Sequence, residues 1–304
     1  MKHAFLIIAH KKWDQLKILI QMLDHPENDI YIHVDAKVKS FPEMELLTAA
    51  VQSRVQIYSR YKVYWGSYEL VQTEIHLFRE ASKVHHDYYH LLSGMDLPIK
   101  KQEDIHHFFQ QHKGFEFVHF NTDERLRTDH EIQRRTRLYH YLQNYRRRYK
   151  SQSLNGFFTF LERISLVVQL IFGIDRMKKH PDLKIRYGSQ WVSITEELVS
   201  YILTQEKLIE DVFRKTNCAD ELFIQTIVYN SVFKGKLYDR GFGNDIHANM
   251  RLIDMQRGTN GNPYIWKRNN WDEIVSSGCL FARKFDSDVD IEIIEKIQNE
   301  YGYR

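Results

Sequence analysis

The first hundred residues alternate short apolar runs with segments in which apolar residues recur at helical spacing. The run His3–Ala9 is almost wholly apolar, which is typical of a strand buried on both faces of a parallel sheet. Leucine and isoleucine then repeat as in an amphipathic helix, up to Pro26. The pattern predicts six elements in chain order: strand His3–Ala9, helix 13–23, strand 29–34, strand 55–57, helix 67–82 and strand 87–94.

This alternation of strands and helices predicts an α/β fold with a doubly wound sheet. Ligands of such sheets gather at the carboxyl ends of the strands. His10, Asp35 and the segment 93–96 each follow directly after a predicted strand. We therefore expect these residues to lie together at the edge of a binding cleft.

The middle of the chain differs in character from both ends. Residues 124–150 are dense in arginine and tyrosine, whereas residues 157–174 are strongly apolar, with Glu162, Ser165 and Gln169 on one narrow helical stripe. Two interpretations stay open: a helix buried in the domain or in a dimer, and a helix lying on a membrane beside arginines that contact anionic head groups. The arginines are Arg134, Arg135, Arg137, Arg146, Arg147 and Arg148.

The region after residue 185 returns to a regular pattern. Residues 186–195 predict a strand entered through Gly188, and residues 196–208 predict a helix. Asp220 and Glu221 open a further helical pattern. Acidic residues in a first helical turn commonly stabilise the helix dipole. The alternative is a carboxylate held rigidly at a helix start and aimed into a cleft as a general base.

The segment 280–290 places two adjacent cations, Arg283 and Lys284, between bulky apolar residues. Apolar anchors on both sides would hold the pair in a fixed geometry, which suits the binding of a diphosphate. A solvated surface pair is the alternative interpretation.

An acidic series follows in the same segment. Asp286, Asp288 and Asp290 resemble the start of a calcium-binding loop, but the series has no glycine at its sixth position and Ile297 at its twelfth. An amphipathic helix follows, so we predict that Asp290 or a neighbour caps that helix.

Composition narrows the functional classes. The 304 residues, 43% of them hydrophobic, suffice for one large domain with a packed core. A net charge of +3 and the lack of a recognised RNA-binding module argue against nucleic acid as a partner. Two cysteines, Cys218 and Cys279, offer no disulfide framework and favour a reducing cytosol. The six apolar residues before His10 are too few for a signal peptide. Because no run of eighteen apolar residues is uninterrupted, we expect no spanning helix.

Five sequence blocks, in this order and spacing, carry a family resemblance. They are IYIHVDAK (30–37), YWGSYELV (64–71), HLLSGMDLPIK (90–100), YGSQWVSIT with CADELFIQT (187–195 and 218–226), and LFARKFDSDVD (280–290). The chain resembles the core-2/I-branching β-1,6-N-acetylglucosaminyltransferases, a family (glycosyltransferase family 14) that also contains protein O-xylosyltransferases. The resemblance covers nearly the whole chain.

The resemblance implies a GT-A glycosyltransferase fold, with a Rossmann-like doubly wound sheet, helices on both faces and a largely helical insert. It implies a single catalytic domain over 1–304. Residues 1–120 would form the nucleotide-binding half and 121–180 the basic and apolar insert. Residues 181–304 would form the acceptor and catalytic half, ending in a diphosphate-binding segment.

The resemblance also implies an inverting transfer from a UDP-sugar without a metal or other cofactor. Most GT-A enzymes hold the diphosphate through a divalent ion bound by an Asp-x-Asp motif, whereas residues 93–96 read SGMD. In the family a basic pair takes the place of the metal, and the matching residues are Lys284 and Arg251. Two cations can offset the charge that leaves on UDP, and Arg283 lies beside them in sequence.

Individual site residues follow from the same resemblance. Glu221 matches the general base of the family, because an acceptor hydroxyl must lose its proton as it attacks. Asp35 matches the position that hydrogen-bonds uracil. The implied donor-binding residues are Ile8, His10, Asp35, Tyr64, Trp65, Ser93, Asp96, Arg251, Arg283 and Lys284. Ser189, Gln190, Trp191 and Asp220 would shape the pocket for the donor sugar or acceptor. Within the insert only Glu124 and Arg127 are suggested.

We expect the chain to be of the short bacterial type, without the membrane anchor, stem and disulfides of the animal members. Such members are thought to act on cytoplasmic, lipid-linked glycan precursors. The expected protein is therefore cytoplasmic, or peripheral on the inner face of the plasma membrane, and acts in surface polysaccharide synthesis. Its acceptor would be a glycan or a lipid-linked oligosaccharide. GlcNAc is the favoured donor sugar, with xylose, galactose and glucose as alternatives; the sequence predicts no oligomeric state.

Two functions from other classes stay open. One is a catalytically idle relative that only binds a nucleotide sugar or glycan. The other is a basic membrane- or RNA-binding module built on the arginine-rich insert. The presence of Glu221, Asp35 and Lys284 favours the enzyme.

Overall fold

The computed structural model describes residues 1–146, 148–149 and 151–302, so Arg147 of the arginine-rich segment lies outside the described residues. Its strands are β1 (His3–Ala9), β2 (Asn28–Val34), β3 (Arg54–Tyr58), β4 (Tyr88–Ser93), β5 (Asp96–Pro98), β6 (Ser193–Thr195), β7 (Arg251–Ile253) and β8 (Phe281–Arg283). Its helices are α1 (Trp13–Met22), α2 (Glu43–Leu47), α3 (Tyr68–Ala81), α4 (Gln102–Gln111), α5 (Asp123–Thr128), α6 (His130–Arg137), α7 (Gln152–Ile171), α8 (Glu196–Thr204), α9 (Glu206–Phe213), α10 (Phe223–Tyr229), α11 (Trp271–Ser276) and α12 (Ile291–Tyr301). Short 3₁₀ helices span Arg176–Lys179, Ala219–Glu221, Val232–Lys236, Ile246–Ala248 and Arg268–Asn270.

The main sheet has five strands in the order β3-β2-β1-β4-β6. The pairings between β1, β2, β3 and β4 are parallel, and β6 runs antiparallel to β4. The carboxyl ends of the four parallel strands therefore meet at one edge. The predicted α/β fold with a parallel sheet is confirmed.

The central strand β1 shows why its sequence carries almost no polar position. Phe5 and Ile7 pack into one core with residues of α1, α4 and α12. Ala4 and Leu6 point the other way, into a second core with residues of α3, α8 and α10. Helices therefore cover both faces of the sheet, as the continuous apolar run predicts.

A second, three-stranded sheet has the order β5-β8-β7. Antiparallel pairing of β5 with β8 sets Asp96 opposite Arg283, and parallel pairing of β7 with β8 sets Arg251 opposite Phe281. Because β5 follows β4 by two residues, this sheet brings the C-terminal basic segment to the carboxyl end of β4. The apolar pattern did not predict these three-residue strands.

The predicted strand 186–195 is wrong over most of its length. Only Ser193–Thr195 pairs in the main sheet. The residues before it bond to other parts of the chain instead. Gly188 N donates to Glu221 O at 3.0 Å, and Arg186 N donates to Thr226 Oγ1 at 3.1 Å. Residues 186 and 188 therefore bond to the segment that carries Glu221 and not to a neighbouring strand.

Two helix predictions also need correction. The helix predicted over 196–208 is two helices, because Gln205 between α8 and α9 has φ −93° and ψ 7°, outside the regular helix. Asp220 and Glu221 lie in the 3₁₀ helix before α10 and not in its first turn, since α10 begins at Phe223.

Helix α7 turns its polar stripe inward and its apolar surface outward. Its buried residues are Glu162 and Gln169, whereas Phe160, Ile171 and the following Phe172 are exposed. The interpretation of a helix buried in the monomer is therefore wrong. Among the residues described, α7 is the one helix that is long and apolar enough to cross a membrane by length and composition, so the expectation of no spanning helix stays a prediction. Length and apolar composition alone are weak evidence that a helix spans a membrane.

The buried polar side chains of α7 hold the segment that precedes it. Gln169 bonds both backbone groups of Tyr139, accepting from its N–H at 2.8 Å and donating to its carbonyl at 2.9 Å. Glu162 Oε2 accepts from Leu142 N at 2.9 Å, and its Oε1 lies 3.0 Å from His140 Nδ1. These polar contacts, and not an apolar core, seat α7 on the domain.

Arg176, which follows α7, fixes the insert to the rest of the domain. Its buried guanidinium donates to the carbonyl oxygens of Arg135 at 2.8 Å, Thr136 at 2.7 Å and Val212 at 2.5 Å. Burial lowers the pKa of Arg176 to about 10. One side chain therefore joins the end of α6 to α9.

Candidate active site

A cleft of about 1070 Å³ opens at the carboxyl ends of β1, β2 and β4. Ligand pockets in proteins commonly enclose about 300–1,000 Å³, so this cleft has room for a nucleotide and more. It is lined by residues that the sequence singled out: Ile8, His10, Asp35, Trp65, Ser93, Ser189, Gln190, Trp191, Asp220, Glu221, Arg251, Arg283 and Lys284. Four other candidates do not line it, namely Tyr64, Asp96, Glu124 and Arg127.

Asp35 follows β2 and is fixed by donors from the neighbouring loops. Its Oδ1 accepts from the backbone N–H of Lys37 at 2.9 Å and of Val63 at 3.3 Å, and Oδ2 lies 3.2 Å from Lys37 Nζ. Lys37 Nζ in turn lies 4.4 Å from the ring centroid of Tyr64. Tyr64 therefore supports the cleft through Lys37, and the Asp35 carboxylate is oriented by the protein.

Trp65 offers the cleft a large aromatic surface. It is 54% exposed, and such a ring suits stacking against a planar base or the apolar face of a sugar. The next residue, Gly66, has φ +75°, and a Cβ there would lie 2.6 Å from Asn217 Oδ1. Cys218 N donates to Gly66 O at 2.9 Å. Glycine thus permits the close approach of the YWGS and CADEL blocks.

Arg283 is held in the cleft wall by residues at the end of β4. Its Nη1 lies 2.6 Å from Asp96 Oδ1 and also donates to Ser93 Oγ. Asp96 Oδ2 accepts from Ser93 N at 2.8 Å. Asp96 therefore acts behind the cleft, where it orients Arg283 and Ser93.

Lys284 extends this wall with a further cation. We call Lys11, Arg283 and Lys284 the cationic cluster. Burial lowers the pKa of Lys284 and the charges of Arg283 and Lys11 lower it further, whereas the charges of Asp286 and Asp96 act in the opposite direction. Within the described part of the chain, Lys284 forms no salt bridge. A half-buried cation among like charges is stabilised when an anion binds between them, so the cluster is suited to an anionic ligand.

Arg251 has a different environment from the one expected of a side chain that binds a diphosphate. Its guanidinium is buried and donates to the carbonyl oxygens of Asn249 at 2.5 Å, Val192 at 2.7 Å and Leu91 at 3.4 Å. Burial lowers its pKa to about 9. The side chain ties β7 to β4 and to the residue before β6. Its Nη1 and Nη2 donate within the protein, whereas its buried Nε has no hydrogen-bond partner among the described residues. Arg251 lines the same cleft as Lys284, and their joint action on a diphosphate stays a prediction.

Three carboxylates, Glu74, Asp220 and Glu221, form what we call the acidic cluster. Burial raises the pKa of Asp220 to about 7, with the charge of Glu221 as a second cause. Burial also raises the pKa of Glu221 and holds that of Glu74 well above its usual value. Glu74 accepts from Gln190 Nε2 at 2.7 Å, and Asp220 keeps one buried oxygen without a hydrogen-bond partner. Asp220 can therefore exchange a proton near neutral pH.

The insert contributes directly to this cluster. Arg135 Nη1 of α6 lies 2.9 Å from Glu221 Oε2 and opposes the effect of burial on the pKa of Glu221. Arg125 of α5 lines the cleft and acts in the same direction. Glu124 and Arg127, the two insert residues that the sequence suggested, do not line the cleft.

The segment carrying Ser189 packs tightly on a neighbouring chain segment. Ser189 N donates to His119 Nδ1 at 3.1 Å, and a Cβ at Gly188 would lie 1.9 Å from His119 O. Two residues later, the Trp191 ring centroid lies 4.5 Å from the guanidinium carbon of Arg283. This segment therefore adjoins the cationic cluster.

The acidic series 286–290 has structural partners. Lys12 Nζ lies 2.9 Å from Asp286 Oδ1 and also contacts Asp288. Asp290 Oδ1 accepts from Ile293 N at 3.1 Å, so the predicted helix cap is confirmed. Over residues 1–146, 148–149 and 151–302, no three histidine, cysteine or acidic side chains are grouped so as to hold a metal ion.

Several lining residues were missed by the sequence analysis: Lys11, Lys37, His119, Asn121, Arg125, Tyr187 and Asn244. Lys11 follows His10 directly at the end of β1, so the rule that ligands gather at strand ends could have found it. Lys37 and Tyr187 lie within two of the five sequence blocks, which could have drawn attention to them. No local pattern marks His119, Asn121, Arg125 or Asn244.

Comparison with known proteins agrees with the motifs. Xylosyltransferase sqv-6 of Caenorhabditis briggsae is 24% identical over 314 residues, which cover 94% of this chain and 35% of that protein. The human beta-1,3-galactosyl-O-glycosyl-glycoprotein beta-1,6-N-acetylglucosaminyltransferase is 24% identical over 328 residues, covering 99% of this chain and 70% of that protein. The chain thus spans about a third of the length of the xylosyltransferases it matches.

Mouse xyloside xylosyltransferase 1 in its apo form is a solved structure with a TM-score of 0.33 and 8% identity, covering 75% of this chain and 82% of that one. A likeness of this size supports no conclusion. The sequence profile of the family described as "Core-2/I-Branching enzyme" matches residues 3–260, which is most of the chain. The resemblance seen in the five blocks is confirmed, and the chain belongs to the Core-2/I-Branching enzyme family.

Proposed function

We propose that this chain is an inverting glycosyltransferase that moves a sugar from a UDP-sugar to a hydroxyl group of a glycan acceptor. The observation that carries the proposal is that one cleft contains both the cationic cluster and Glu221. A half-buried cation such as Lys284 suits a diphosphate. A carboxylate of raised pKa suits proton acceptance from a hydroxyl group. The activities named for the relatives, sugar transfers, support the same reaction.

Glu221 would serve as the general base. The acceptor oxygen attacks the anomeric carbon while the bond from that carbon to the β-phosphate oxygen of UDP breaks, and Glu221 takes the hydroxyl proton. A single displacement of this kind inverts the anomeric configuration. Arg135 opposes the effect of burial on the pKa of Glu221 through a direct salt bridge and so favours the ionised form.

Lys284 and Arg283 would offset the charge that develops on UDP as it leaves. Arg283 is already oriented by Asp96, so its position requires no reorganisation during the reaction. We assign Arg251 chiefly to positioning, since its Nη1 and Nη2 donate to backbone carbonyls. In this scheme cationic side chains do the work that a divalent ion does elsewhere, and we propose that the reaction needs no metal.

Binding of the nucleotide would use the ends of β1 and β2. Asp35 is placed to accept a hydrogen bond from uracil, with Ile8, His10 and Trp65 around it in the same lining. Ser189, Gln190, Trp191 and Asp220 would contact the donor sugar or the acceptor. We favour GlcNAc as the transferred sugar and a cytoplasmic role in bacterial surface polysaccharide synthesis, with xylose, galactose and glucose as the competing donors.

The test is a UDP-release assay across UDP-GlcNAc, UDP-xylose, UDP-galactose and UDP-glucose, since glycosyltransferases hydrolyse their donors slowly without an acceptor. We expect release from one donor well above the others, and no loss in EDTA. Complete loss in EDTA that Mn²⁺ restores would overturn metal independence. UDP binding without release from any donor would instead favour the catalytically idle relative.

A further inference from the structure

The outward surface of α7 is apolar along its whole length. Phe157, Phe160, Val167, Leu170 and Ile171 are all exposed, and the helix of 20 residues is about 30 Å long at 1.5 Å per residue. Contiguous apolar surface of this extent marks an interaction site. Because Glu162 and Gln169 are buried against the domain, α7 lies along the protein surface and presents one side.

The outward face of α7 carries no negative charge, and Asp175, just after the helix, is paired with Arg137. Glu162 and Arg163 are the charged residues of α7; Glu162 is buried and Arg163 is exposed, so the outward face carries no carboxylate. Exposed Arg148 precedes the helix, and exposed Lys178 and Lys179 follow it. The apolar strip therefore has cations near both ends and one along its length, as in helices that lie in the interface of an anionic bilayer.

Aromatic residues extend the surface at the N-terminal end of α7. Tyr141 and Tyr145 are exposed large side chains, and the Tyr145 ring lies 5.4 Å from that of Phe158. Tyrosine is enriched where a protein meets the head groups of a bilayer, because its ring is apolar and its hydroxyl is polar. A second copy of the chain fits less well. Contact through the same face of both copies would bring two Arg163 side chains onto a surface that offers no exposed carboxylate of α7.

We propose that α7 lies in the plane of an anionic phospholipid bilayer, with its apolar side between the head groups. Arg148, Arg163, Lys178 and Lys179 then contact lipid phosphates. This binding surface is argued from α7 alone and does not depend on the chemistry proposed for the cleft.

The bilayer contact also bears on the acceptor, a step that rests on the proposed function. Gln169 fixes Tyr139, and Arg176 fixes the carbonyls of Arg135 and Thr136, so α7 and α6 move as one body. Arg135 of α6 contacts Glu221. The element that touches the lipid is therefore joined to the proposed base, so lipid binding would hold the cleft near an acceptor at the bilayer surface.

Co-sedimentation with vesicles tests the binding surface, using phosphatidylcholine alone and phosphatidylcholine with phosphatidylglycerol. We expect strong binding to the anionic vesicles at 0.1 M salt and partial release at 1 M, where the Debye length falls from ~10 Å to ~3 Å. Arg163→Gln with Lys179→Gln should lower the partition coefficient about fivefold per charge. Phe160→Ser with Val167→Ser should lower it about tenfold or more.

Val51→Ser and Val232→Ser are the matched controls, because these valines are 91% and 81% exposed outside the insert. Their binding should equal that of the wild type, and all variants should keep wild-type thermal unfolding and UDP affinity. Failure of the wild type to bind anionic vesicles at low salt overturns the proposal. So does a lipid-free dimer that Phe160→Ser with Val167→Ser converts to a monomer, which would assign the face to a second copy. UDP release measured in parallel separates this failure from failure of the glycosyltransferase proposal.

Discussion

Lys284 and Glu221 line the same cleft, but the protein provides them with ionic partners to different extents. Glu221 has a salt bridge to Arg135, and Glu74 has a hydrogen bond from Gln190. Lys284, in contrast, has Arg283 and Lys11 as close charges of its own sign and no salt bridge in the described chain, although Asp286 and Asp96 act on it in the opposite direction. Lys284 therefore depends on a ligand for a direct ionic partner, whereas Glu221 is oriented by the protein. Substitutions on the two sides should have separable effects on binding and on turnover.

The largest effect is expected at Glu221. Glu221→Gln keeps the shape of the side chain but removes the proton acceptor, so transfer should fall ~10²–10⁴-fold while UDP affinity stays unchanged. Product formation and calorimetric titration with UDP would measure the two effects. Glu210→Gln on α9 is the control, since Glu210 is exposed and pairs only locally with Arg214. A Glu221→Gln enzyme that retains more than about a tenth of the wild-type rate would rule out the base role.

The second largest effect is expected on UDP binding, from substitution of Lys284. Lys284→Ala removes a cation from the cleft wall, so affinity for UDP should fall about 10- to 100-fold, as for a lost hydrogen bond to a charged group. Affinity for uridine should not change, because uridine lacks the diphosphate. Lys207→Ala, on the exposed side of α9, is the matched control. Equal losses for UDP and uridine would mean that Lys284 supports the fold of the cleft and not the phosphates.

The smallest effect is a shift in pH dependence, at Arg135. Burial raises the pKa of Glu221 and Arg135 lowers it, so removal of Arg135 should raise it. For a base that must be ionised, the acidic limb of kcat/KM then moves to higher pH. Arg134→Gln, on the adjacent exposed position of α6, should leave the limb in place. An unchanged acidic limb of the pH profile in Arg135→Gln would mean that a group other than Glu221 sets that limb.

The sequence predicted the main sheet because β1, β2 and β4 are long enough to show apolar runs. Strands β5, β7 and β8 have three residues each, and their pairing joins residues as distant as Asp96 and Arg283. No local pattern records such a pairing. The same limit applies to Arg135 and Glu221, whose salt bridge joins segments that are far apart in sequence.

The error at α7 has another cause. Periodicity places Glu162 and Gln169 on one stripe, but it does not say which side of the helix packs against the domain. Burial of apolar residues would normally decide, as it does for α3, where Val71, Leu77 and Phe78 are inside. In α7 the polar side faces the domain instead, because its side chains form hydrogen bonds with backbone groups of Tyr139 and Leu142. A reversed helix is therefore a sign of function that periodicity alone does not reveal.

The three hydrogen bonds from Arg176 to backbone carbonyl oxygens restrict how a relative of this chain can acquire a different acceptor specificity. They join α6 to α9, and α6 carries the arginine that contacts Glu221. Residues 121–180 cannot therefore be exchanged as a unit, because a chimaera that replaced them would also remove Arg135, the partner of the proposed base Glu221. New acceptor preferences in this lineage should arise by point substitution on the insert surface, with Arg176 and Arg135 retained, rather than by transplantation of whole inserts.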